Sequence, residues 1–419
     1  MSGTGGDGDR LSMFEGFGVE LEYMVVDADT LDVSPTVDRL IEDQCGEVVS
    51  EVEVDDISWS NELVLHVVEL KTNGPAPALE PLPERFQQSV GRAGELLAPR
   101  GLRLLPTAMH PWMDPATETR LWPHEHRRVY QTYDRIFTCQ GHGWSNLQSA
   151  HLNLPFADDV EFGKLHAAIR LVLPLLPAIA ASSPIADGRI RRLLDYRMEV
   201  YRTNSARVPE VAGLVVPEPA FTEREYRERI FEPMMKAMAP LDPERVLEEE
   251  FLNSRGAIAR FARGSVEIRV IDVQECPLAD LAIVAATVSA LRALVEERHA
   301  SSSRQRTFET GVLAGVLHAT ARDGERAEVD SNLAEALGRR SARDAARVWE
   351  AIIEEGIDSG AIANRFERPL EHLLSGGTLA TRILRAVGPT PPGEDPAHDR
   401  LRVIYRELAD CLAAGRMFG

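Results

Sequence analysis

Two carboxylates stand two residues apart in the apolar run FGVELEYMVV, and this spacing constrains the fold more than any other feature of the chain. In a β-strand, residues i and i+2 share one face, so Glu20 and Glu22 lie side by side while Val19, Leu21 and Tyr23 occupy the opposite face. Like charges about 5–7 Å apart repel each other, and burial strengthens the repulsion. The run therefore predicts a strand with one core face and one acidic face that needs a compensating charge.

The same arrangement of a polar pair recurs in two further strand-like segments. SAHLNLPF places His151 and Asn153 on one face, and GSVEIRVIDV places Glu267 and Arg269 on one face. The alternate positions are mostly apolar, as is typical of a strand that packs one face on a core. Together the segments predict an antiparallel sheet whose polar face collects acidic, histidine and arginine side chains.

A fourth segment, NELVLHVVELKTNGP, carries Glu62 and Glu69 around the apolar run LVLHVV. The two residues are seven positions apart, so one regular strand would put them on opposite faces. Either a β-bulge intervenes or Glu62 lies in the turn before the strand. The run LVLHVVEL itself suits a central strand that is covered on both sides.

The acidic face has two interpretations. It is either a solvated sheet face or a cation site, because clustered carboxylates are tolerated when divalent cations neutralise them. Solvated faces usually carry Lys, Thr, Ser and Gln, whereas this set is mostly Glu, which favours the cation site. Oxygen-rich ligand sets suit Mg²⁺ or Mn²⁺, and Mg²⁺ held by few carboxylates usually takes phosphate as a further ligand. A nucleotide is therefore expected, although the chain has neither a Walker A loop nor an HExxH motif.

Helical patterns alternate with the strand-like runs. Residues 82–98 form an amphipathic pattern, and residues 277–298 are rich in Leu, Ala and Val. Residues 162–184 are apolar nearly all round, which predicts a buried helix that Pro174 and Pro177 break or kink.

The chain divides into three parts by composition. Residues 1–13 are Gly- and Asp-rich and predict a disordered tail. Residues 14–297 alternate strand-like and helix-like patterns and predict a domain of sheet and helices. Residues 298–308 read as a polar joint, and the remainder is helical in pattern, so residues 298–419 predict a helical C-terminal region packed on that domain.

Charge and composition limit the partners. The net charge of −20 disfavours nucleic acid and anionic membranes, because both bind Lys- and Arg-rich surfaces. No signal peptide is expected in MSGTGGDGDR, and no run of about 18 apolar residues predicts a membrane span. The four cysteines form no CxxC pair and suit a reducing compartment. The sequence thus predicts a cytoplasmic protein with small-molecule partners, and its apolar helices leave room for a homodimer.

Seven short motifs give the chain a resemblance to a known family. They cover about residues 14–410 in family order and are GVELEY, VVELKT, TAMHPW, HLNLPF, SSPIADGR, RGSVEIRVID and LLSGGTLATRIL. With them the chain resembles the glutamate–cysteine ligase type 2 family, the carboxylate–amine ligases. The resemblance implies a glutamine-synthetase-like α+β fold, in which a curved, mainly antiparallel sheet forms a funnel with metals inside and helices outside. It also implies that ATP phosphorylates a carboxylate, usually the γ-carboxylate of glutamate, and that an amine such as cysteine or another amino acid attacks the acyl phosphate.

The resemblance further implies roles for single residues. The implied metal ligands are Glu20, Glu22, Glu62, Glu69, His151 and Glu267. Arg269 is expected to contact phosphate or the substrate carboxylate, with a structural pair to Glu267 as the alternative, and Arg197 is expected near the acyl substrate. Arg260 and Arg263 are candidates for binding the nucleotide phosphates, with surface solvation as the alternative. The implied cofactors are ATP and Mg²⁺ or Mn²⁺. Asn153 departs from the family pattern, since it replaces the more usual second histidine of HLNLPF.

Two other functions stay open at this point. One is a catalytically silent metabolite-binding protein on the same scaffold, and the other is a phosphotransferase that stops after phosphoryl transfer. The retained carboxylates argue against the silent protein, because such a protein has no need to tolerate their repulsion. Fold alone does not separate these functions.

Overall fold

The computed structural model describes residues 10–389 and 395–419, so most of the predicted tail at residues 1–13 lies outside the described residues. The described chain folds around one eight-stranded sheet and a separate two-stranded hairpin. All strand pairings in the large sheet are antiparallel, as the alternating polar and apolar residues predict. Helices cover the apolar side of this sheet, which gives the α+β class expected from the sequence.

The strands are β1 (Gly18–Asp27), β2 (Glu51–Val54), β3 (Ile57–Asn61), β4 (Val67–Thr72), β5 (Leu102–Leu105), β6 (Ser149–Pro155), β7 (Ile185–Ala186), β8 (Arg189–Ile190), β9 (Ala257–Arg260) and β10 (Ser265–Asp272). The large sheet has the order β2–β3–β4–β1–β6–β10–β9, and β5 pairs with the end of β1 beyond β6. Strands β7 and β8 form the small hairpin.

The helices are α1 (Val37–Cys45), α2 (Leu82–Leu97), α3 (Pro115–Glu118), α4 (Arg127–Phe137), α5 (His142–Ser145), α6 (Asp159–Val172), α7 (Pro177–Ala180), α8 (Tyr196–Thr203), α9 (Glu223–Tyr226), α10 (Glu232–Met238), α11 (Glu249–Leu252), α12 (Pro277–Val295), α13 (Ser302–Gln305), α14 (Thr310–Asp323), α15 (Ser331–Ala336), α16 (Ala345–Asp358), α17 (Glu367–Gly376), α18 (Leu379–Val387) and α19 (His398–Ala414).

Strand β1 lies inside the sheet and separates the core from the site. It pairs with β4 on one side and with β6 and β5 on the other. Val19, Leu21 and Tyr23 are fully buried in the core. The alternation of a strand sends Glu20 and Glu22 to the other face of the sheet.

Helix α12 is the central helix of the core and packs against α2, α6 and α16. By length and composition it could cross a membrane, but 83 % of its apolar window is buried inside the protein. The sequence contains no run of about 18 apolar residues at this helix, because the charged residues Asp280 and Arg292 interrupt it. Its burial identifies it as a core helix.

The predicted break in the apolar helix after α6 is confirmed. Helix α6 ends at Val172, a 3-10 turn spans Leu173–Leu175, and α7 begins at Pro177. A proline has no N–H for the helical ladder, so the backbone leaves the α-helical path here. The break leaves the carbonyl of Leu175 to accept a hydrogen bond of 2.8 Å from Nε1 of Trp349 in α16.

Helices α14 to α19 pack on the sheet-and-helix part of the chain. Helices α16 and α17 contact α12, and α19 contacts β5 and α2. Within the predicted polar joint, the buried side chain of Gln305 donates to the carbonyls of Leu294 and Ala300. One apolar core continues across this joint. The division of the chain into two parts at residue 298 stays a prediction.

The strand predicted from LVLHVVEL is shorter than expected. Strand β4 begins only at Val67, and the residues before it form the connection from β3. In that connection, Nε2 of the buried His66 lies 2.8 Å from the carbonyl oxygen of Ser145, and Val64 forms an isolated bridge with Leu121. These contacts outside the sheet hold the apolar residues away from the strand.

Candidate active site

The register of four neighbouring strands brings the polar pairs onto one face of the sheet. The directly opposed residues are Glu69 and Glu22 across β4 and β1, Glu20 and His151 across β1 and β6, and Asn153 and Glu267 across β6 and β10. Directly opposed side chains of an antiparallel pair are near neighbours. We call this surface of β4, β1, β6 and β10 the polar face. The predicted convergence of these strands in one antiparallel sheet is confirmed.

His151 lies at the centre of the polar face. Its Nδ1 is 2.8 Å from Oε2 of Glu20 and 3.7 Å from Oε1 of Glu267, and its Nε2 is 3.6 Å from Oε1 of Glu22. The imidazole is almost wholly buried. Burial lowers the pKa of His151, which favours the neutral imidazole that can ligate a cation.

Glu62 reaches the polar face from the connection between β3 and β4. It follows directly after Asn61, the last residue of β3, so it lies in the turn before β4. The second of the two sequence alternatives is therefore correct. Burial raises the pKa of Glu62 well above its usual range, and the charge of Glu69 is a further cause.

Two groups of side chains on this face can each hold a cation. Ligand atoms of Glu20, Glu69 and His151 all lie within 4.8 Å of one another, and so do those of Glu22, Glu62 and Glu69. Ligands on opposite sides of an octahedral Mg²⁺ lie about 4.2 Å apart, because each sits at about 2.1 Å from the ion. Small side-chain shifts would therefore complete both groups. Carboxylate oxygens with one imidazole nitrogen fit the predicted Mg²⁺ or Mn²⁺.

The protein itself neutralises these carboxylates poorly. Burial raises the pKa of Glu69 to about 7, and the charge of Glu20 adds to the shift. Burial also raises the pKa of Glu20, with the charge of Glu267 as the next cause, and it raises the pKa of Glu22. Raised carboxyl pKa values show that the ionised forms are disfavoured without a further positive charge.

Glu267 differs from the other acidic residues because two arginines neutralise it. Its Oε2 lies 2.9 Å from Nε and 2.8 Å from Nη2 of Arg260, and its Oε1 lies 2.9 Å from Nε of Arg269. Burial opposes the ionised form, but these two guanidinium groups hold the pKa of Glu267 at about 2. Glu267 belongs to neither cation group, so its role as a metal ligand stays a prediction.

The other two candidates for phosphate binding lie in different places. Arg260 stands at the edge of the polar face, where Nη1 also donates to the carbonyl of Glu250. Arg263 is exposed on the turn between β9 and β10, and within the described part of the chain its side chain forms no hydrogen bond or ion pair with the polar face. The contacts favour surface solvation for Arg263.

The guanidinium of Arg197 pairs with a buried residue of the protein. This pairing does not favour the predicted contact of Arg197 with an acyl substrate. Its Nε donates to Oδ1 of Asp272 at 2.5 Å, and its Nη1 donates to the carbonyl of Arg269 at 3.2 Å. Both side chains of the pair are inaccessible to solvent. A buried guanidinium needs an anion, and Asp272 supplies it. Arg197 therefore holds the backbone of β10 beside Arg269.

Two residues of β6 hold the acidic side chains in place. Ser149 donates to Oε2 of Glu22 from its backbone nitrogen at 2.7 Å and from its hydroxyl at 3.0 Å, and the same hydroxyl lies 2.8 Å from Nε2 of His151. Asn153 donates from Nδ2 to Oε1 of Glu20 at 3.0 Å. The amide that replaces the second histidine thus acts as a hydrogen-bond donor in this structure.

Sequence reasoning missed two further residues beside the cluster. Lys71 follows Glu69 by two positions, and its Nζ lies 3.5 Å from Oε2 of Glu69. The i and i+2 rule that found the acidic pairs would have found it. Tyr130 of α4 accepts a hydrogen bond of 3.0 Å from Nδ2 of Asn61, and burial and then the charge of Glu62 raise its pKa. No local pattern indicates Tyr130, because tertiary packing brings α4 to the site.

Comparison with known proteins identifies a family and a relative of this chain. The family described as glutamate-cysteine ligase family 2 matches residues 16–407. An uncharacterized protein of Archaeoglobus fulgidus is 34 % identical over 354 residues, which cover 83 % of this chain and 91 % of that protein. Both matches extend over most of the chain, as the resemblance of the motifs predicts.

Solved structures of low sequence identity share the fold. The glutamate–cysteine ligase of Francisella tularensis, determined in complex with AMP, is 12 % identical with a TM-score of 0.57, and the alignment covers 96 % of this chain and 90 % of that one. A bifunctional glutathione synthetase of Pasteurella multocida is 14 % identical with a TM-score of 0.53, and the alignment covers 95 % of this chain and 52 % of that one.

Proposed function

Because the chain belongs to glutamate–cysteine ligase family 2, we propose that it is an ATP-dependent ligase that joins a carboxylate to an amine. The proposed acyl donor is the γ-carboxylate of glutamate, and the proposed acceptor is cysteine or another amino acid. ATP and Mg²⁺ or Mn²⁺ are the proposed cofactors, and the cytoplasm is the proposed location. Family membership supports the class of enzyme, and the polar face supports the reaction in this chain.

The observation that carries the proposal is that Glu69 belongs to both cation groups of the polar face. A carboxylate shared by both groups would help to hold two neighbouring cations, and many phosphoryl-transfer sites use two cations. The cations, when bound, supply charge neutralisation for the triphosphate and align the reacting oxygens. A protein that only bound a metabolite would gain nothing from four crowded carboxylates, so this arrangement supports the enzyme over the silent homologue.

The proposed reaction has two steps. A carboxylate oxygen of the donor attacks the γ-phosphorus of ATP, the bond from phosphorus to the bridging oxygen breaks, and ADP leaves with that electron pair. The amine nitrogen then attacks the acyl carbon, phosphate leaves with the carbon–oxygen electron pair, and the nitrogen loses a proton. The first step is needed because the oxygen of an unmodified carboxylate is a poor leaving group.

Arg269 is the proposed phosphoryl-binding residue. Its Nε faces Glu267, and 28 % of its side chain is exposed. A guanidinium presents five donors in a planar fork, so its Nη groups can contact phosphoryl oxygens while Nε keeps its ion pair. Electrostatic stabilisation by such preorganised donors is a major source of rate in phosphoryl transfer. Arg197 supports this geometry through the carbonyl of Arg269.

The experiment that tests the proposal measures ADP release with Mg²⁺ and ATP against a panel of amino acid pairs, with the product mass determined. A ligase requires both the donor and the amine for sustained turnover, and the product gains the mass of both minus one water. A phosphotransferase releases ADP without the amine, and a binding protein releases none. Glu53→Gln, on the exposed edge strand β2, serves as the active control, and Glu20→Gln serves as the inactive one. Absence of amine-dependent turnover with every pair would reject the proposed function.

A further inference from the structure

Lys71 is a positively charged residue of the polar face that the proposed reaction does not yet use. It lies opposite Glu20 on β1, and it shares a face of β4 with Glu69. Its Nζ lies 2.8 Å from Oε2 of Glu51 and 3.5 Å from Oε2 of Glu69. The side chain of Lys71 is 24 % exposed, so a ligand on the polar face can reach it.

Neither acidic partner is suited to hold Lys71 once cations are bound. Glu69 belongs to both cation groups, so bound cations would compete with Lys71 for its oxygens. Glu51 lies on the edge strand β2 and is 51 % exposed, where water and salt weaken an ion pair. Cation binding would therefore weaken the charge compensation of the Lys71 ammonium group.

Lys71 and Arg269 flank the cation groups from opposite sides. The sheet order β4–β1–β6–β10 places them three strands apart, which is about 14 Å between backbones at about 4.8 Å per strand. A triphosphate and a donor carboxylate held at the cation groups would lie between these two residues. Arg269 offers its guanidinium on the β10 side, and Lys71 offers a positive charge on the β4 side.

We propose that Lys71 is a second substrate-binding residue, whose ammonium group binds an oxyanion of a substrate held at the cation groups. The inference rests on the proposed function. The oxyanion comes either from the triphosphate of ATP or from a carboxylate of the acyl donor. Both offer the same chemistry, a charge-assisted N–H···O contact.

A purely structural role for Lys71 makes a different prediction. In that case the lysine pins the edge strand β2 to β4 through Glu51, and removal of either partner has the same effect. Glu51→Gln is therefore the matched control, because it removes the ion pair and leaves Lys71 in place. Lys71→Arg keeps the charge, and Lys71→Met keeps the length of the side chain without the charge.

The test is calorimetric titration of the full-length protein in the presence of Mn²⁺, with the nonhydrolysable ATP analogue AMP-PNP and with L-glutamate as separate probes. Lys71→Met is expected to bind Mn²⁺ as tightly as the wild type or more tightly, because it removes a like charge from the site. It should bind one of the two probes about tenfold more weakly or worse, as expected for one lost charged contact. Lys71→Arg should retain most of the affinity, and Glu51→Gln all of it. Thermal unfolding confirms that each variant is folded, and Lys71→Gln replaces Lys71→Met if the latter is unstable.

The outcomes separate the inference from the proposed function. A loss with AMP-PNP assigns the triphosphate to Lys71, and a loss with L-glutamate assigns the carboxylate. Unchanged affinity for both probes in folded Lys71→Met overturns the inference and leaves the proposed function standing. An equal loss in Glu51→Gln also overturns it, because the effect then belongs to the edge strand. Wild-type protein that binds Mn²⁺ but neither probe overturns both.

Discussion

Glu69 on β4 lies directly opposite Glu22 on β1, and both carboxylates are buried. Each is oriented by a serine: Ser60 donates to Oε2 of Glu69 at 2.7 Å, and Ser149 donates to Oε2 of Glu22. These hydrogen bonds fix the geometry of the two carboxylates without neutralising their charge. Two like charges held together in this way repel each other, and a bound cation would relieve that repulsion.

Glu69→Gln should separate stability from metal binding. The amide keeps the shape and removes one negative charge, so the metal-free variant should melt at a higher temperature than the wild type. Because Glu69 is shared, affinity for Mn²⁺ should fall at both cation groups, and turnover should fall by roughly 10²-fold or more. Thermal unfolding with and without Mn²⁺, together with calorimetric titration, measures both effects. The exposed Glu53→Gln on β2 is the control, and wild-type Mn²⁺ stoichiometry in Glu69→Gln would contradict the shared ligand.

Glu20→Gln and Glu267→Gln should have opposite effects on stability. Glu20 is crowded by other acidic groups, so its replacement should leave the melting temperature of the metal-free protein unchanged or higher. Glu267 pairs with Arg260 and Arg269, so its replacement should lower the stability by about 2 kcal/mol, in the range for hydrogen bonds to charged groups. Chemical unfolding of the metal-free variants tests this directly. Equal stability changes in the two variants would contradict a stabilising pairing of Glu267 with the two arginines.

The sheet and its acidic face could be predicted because strand alternation is a local property of the sequence. Glu20 and Glu22 share a face by geometry alone, and the same rule placed His151 and Glu267 on the polar sides of their strands. The rule does not give the pairing of strands, and the structure supplies it: the register sets Glu20 opposite His151. The position of Glu62 stayed open in the sequence because its spacing from β4 depends on how the connecting turn folds.

The contacts of the arginines could not be predicted in the same way. Arg197 precedes Asp272 by 75 positions, and only the packing of α8 beside β10 brings them together. Arg260 and Arg263 look equivalent in the sequence, but Arg260 ends a strand beside Glu267 and Arg263 lies on an exposed turn. Long-range contacts of this kind depend on tertiary structure, which short local sequence patterns do not specify.

Arg269→Lys tests the proposed phosphoryl contact. Lysine keeps the charge but loses the planar fork that binds two oxygens. Arg260 still pairs with Glu267 in this variant, so the melting temperature should change little. We expect kcat to fall by roughly 10²-fold, as for a lost transition-state contact. Melting temperature and ADP release are measured on one preparation, and a destabilised but fully active variant would make Arg269 a structural residue.

Arg197→Met tests whether Arg197 is a positioning residue or a substrate contact. Removal of the guanidinium leaves Asp272 buried without its cation, and breaking a buried ion pair costs about 3–5 kcal/mol. The double variant Arg197→Met/Asp272→Asn removes both charges, so it should recover part of the lost stability and remain folded.

In the folded double variant, a positioning role of Arg197 predicts reduced kcat with an unchanged KM for both substrates, because Arg197 acts through the carbonyl of Arg269. A substrate contact predicts a raised KM for the acyl donor instead. Urea unfolding and steady-state kinetics of the single and double variants decide between the two roles, and a single variant as stable as the wild type would show that the pair with Asp272 does not hold the strand.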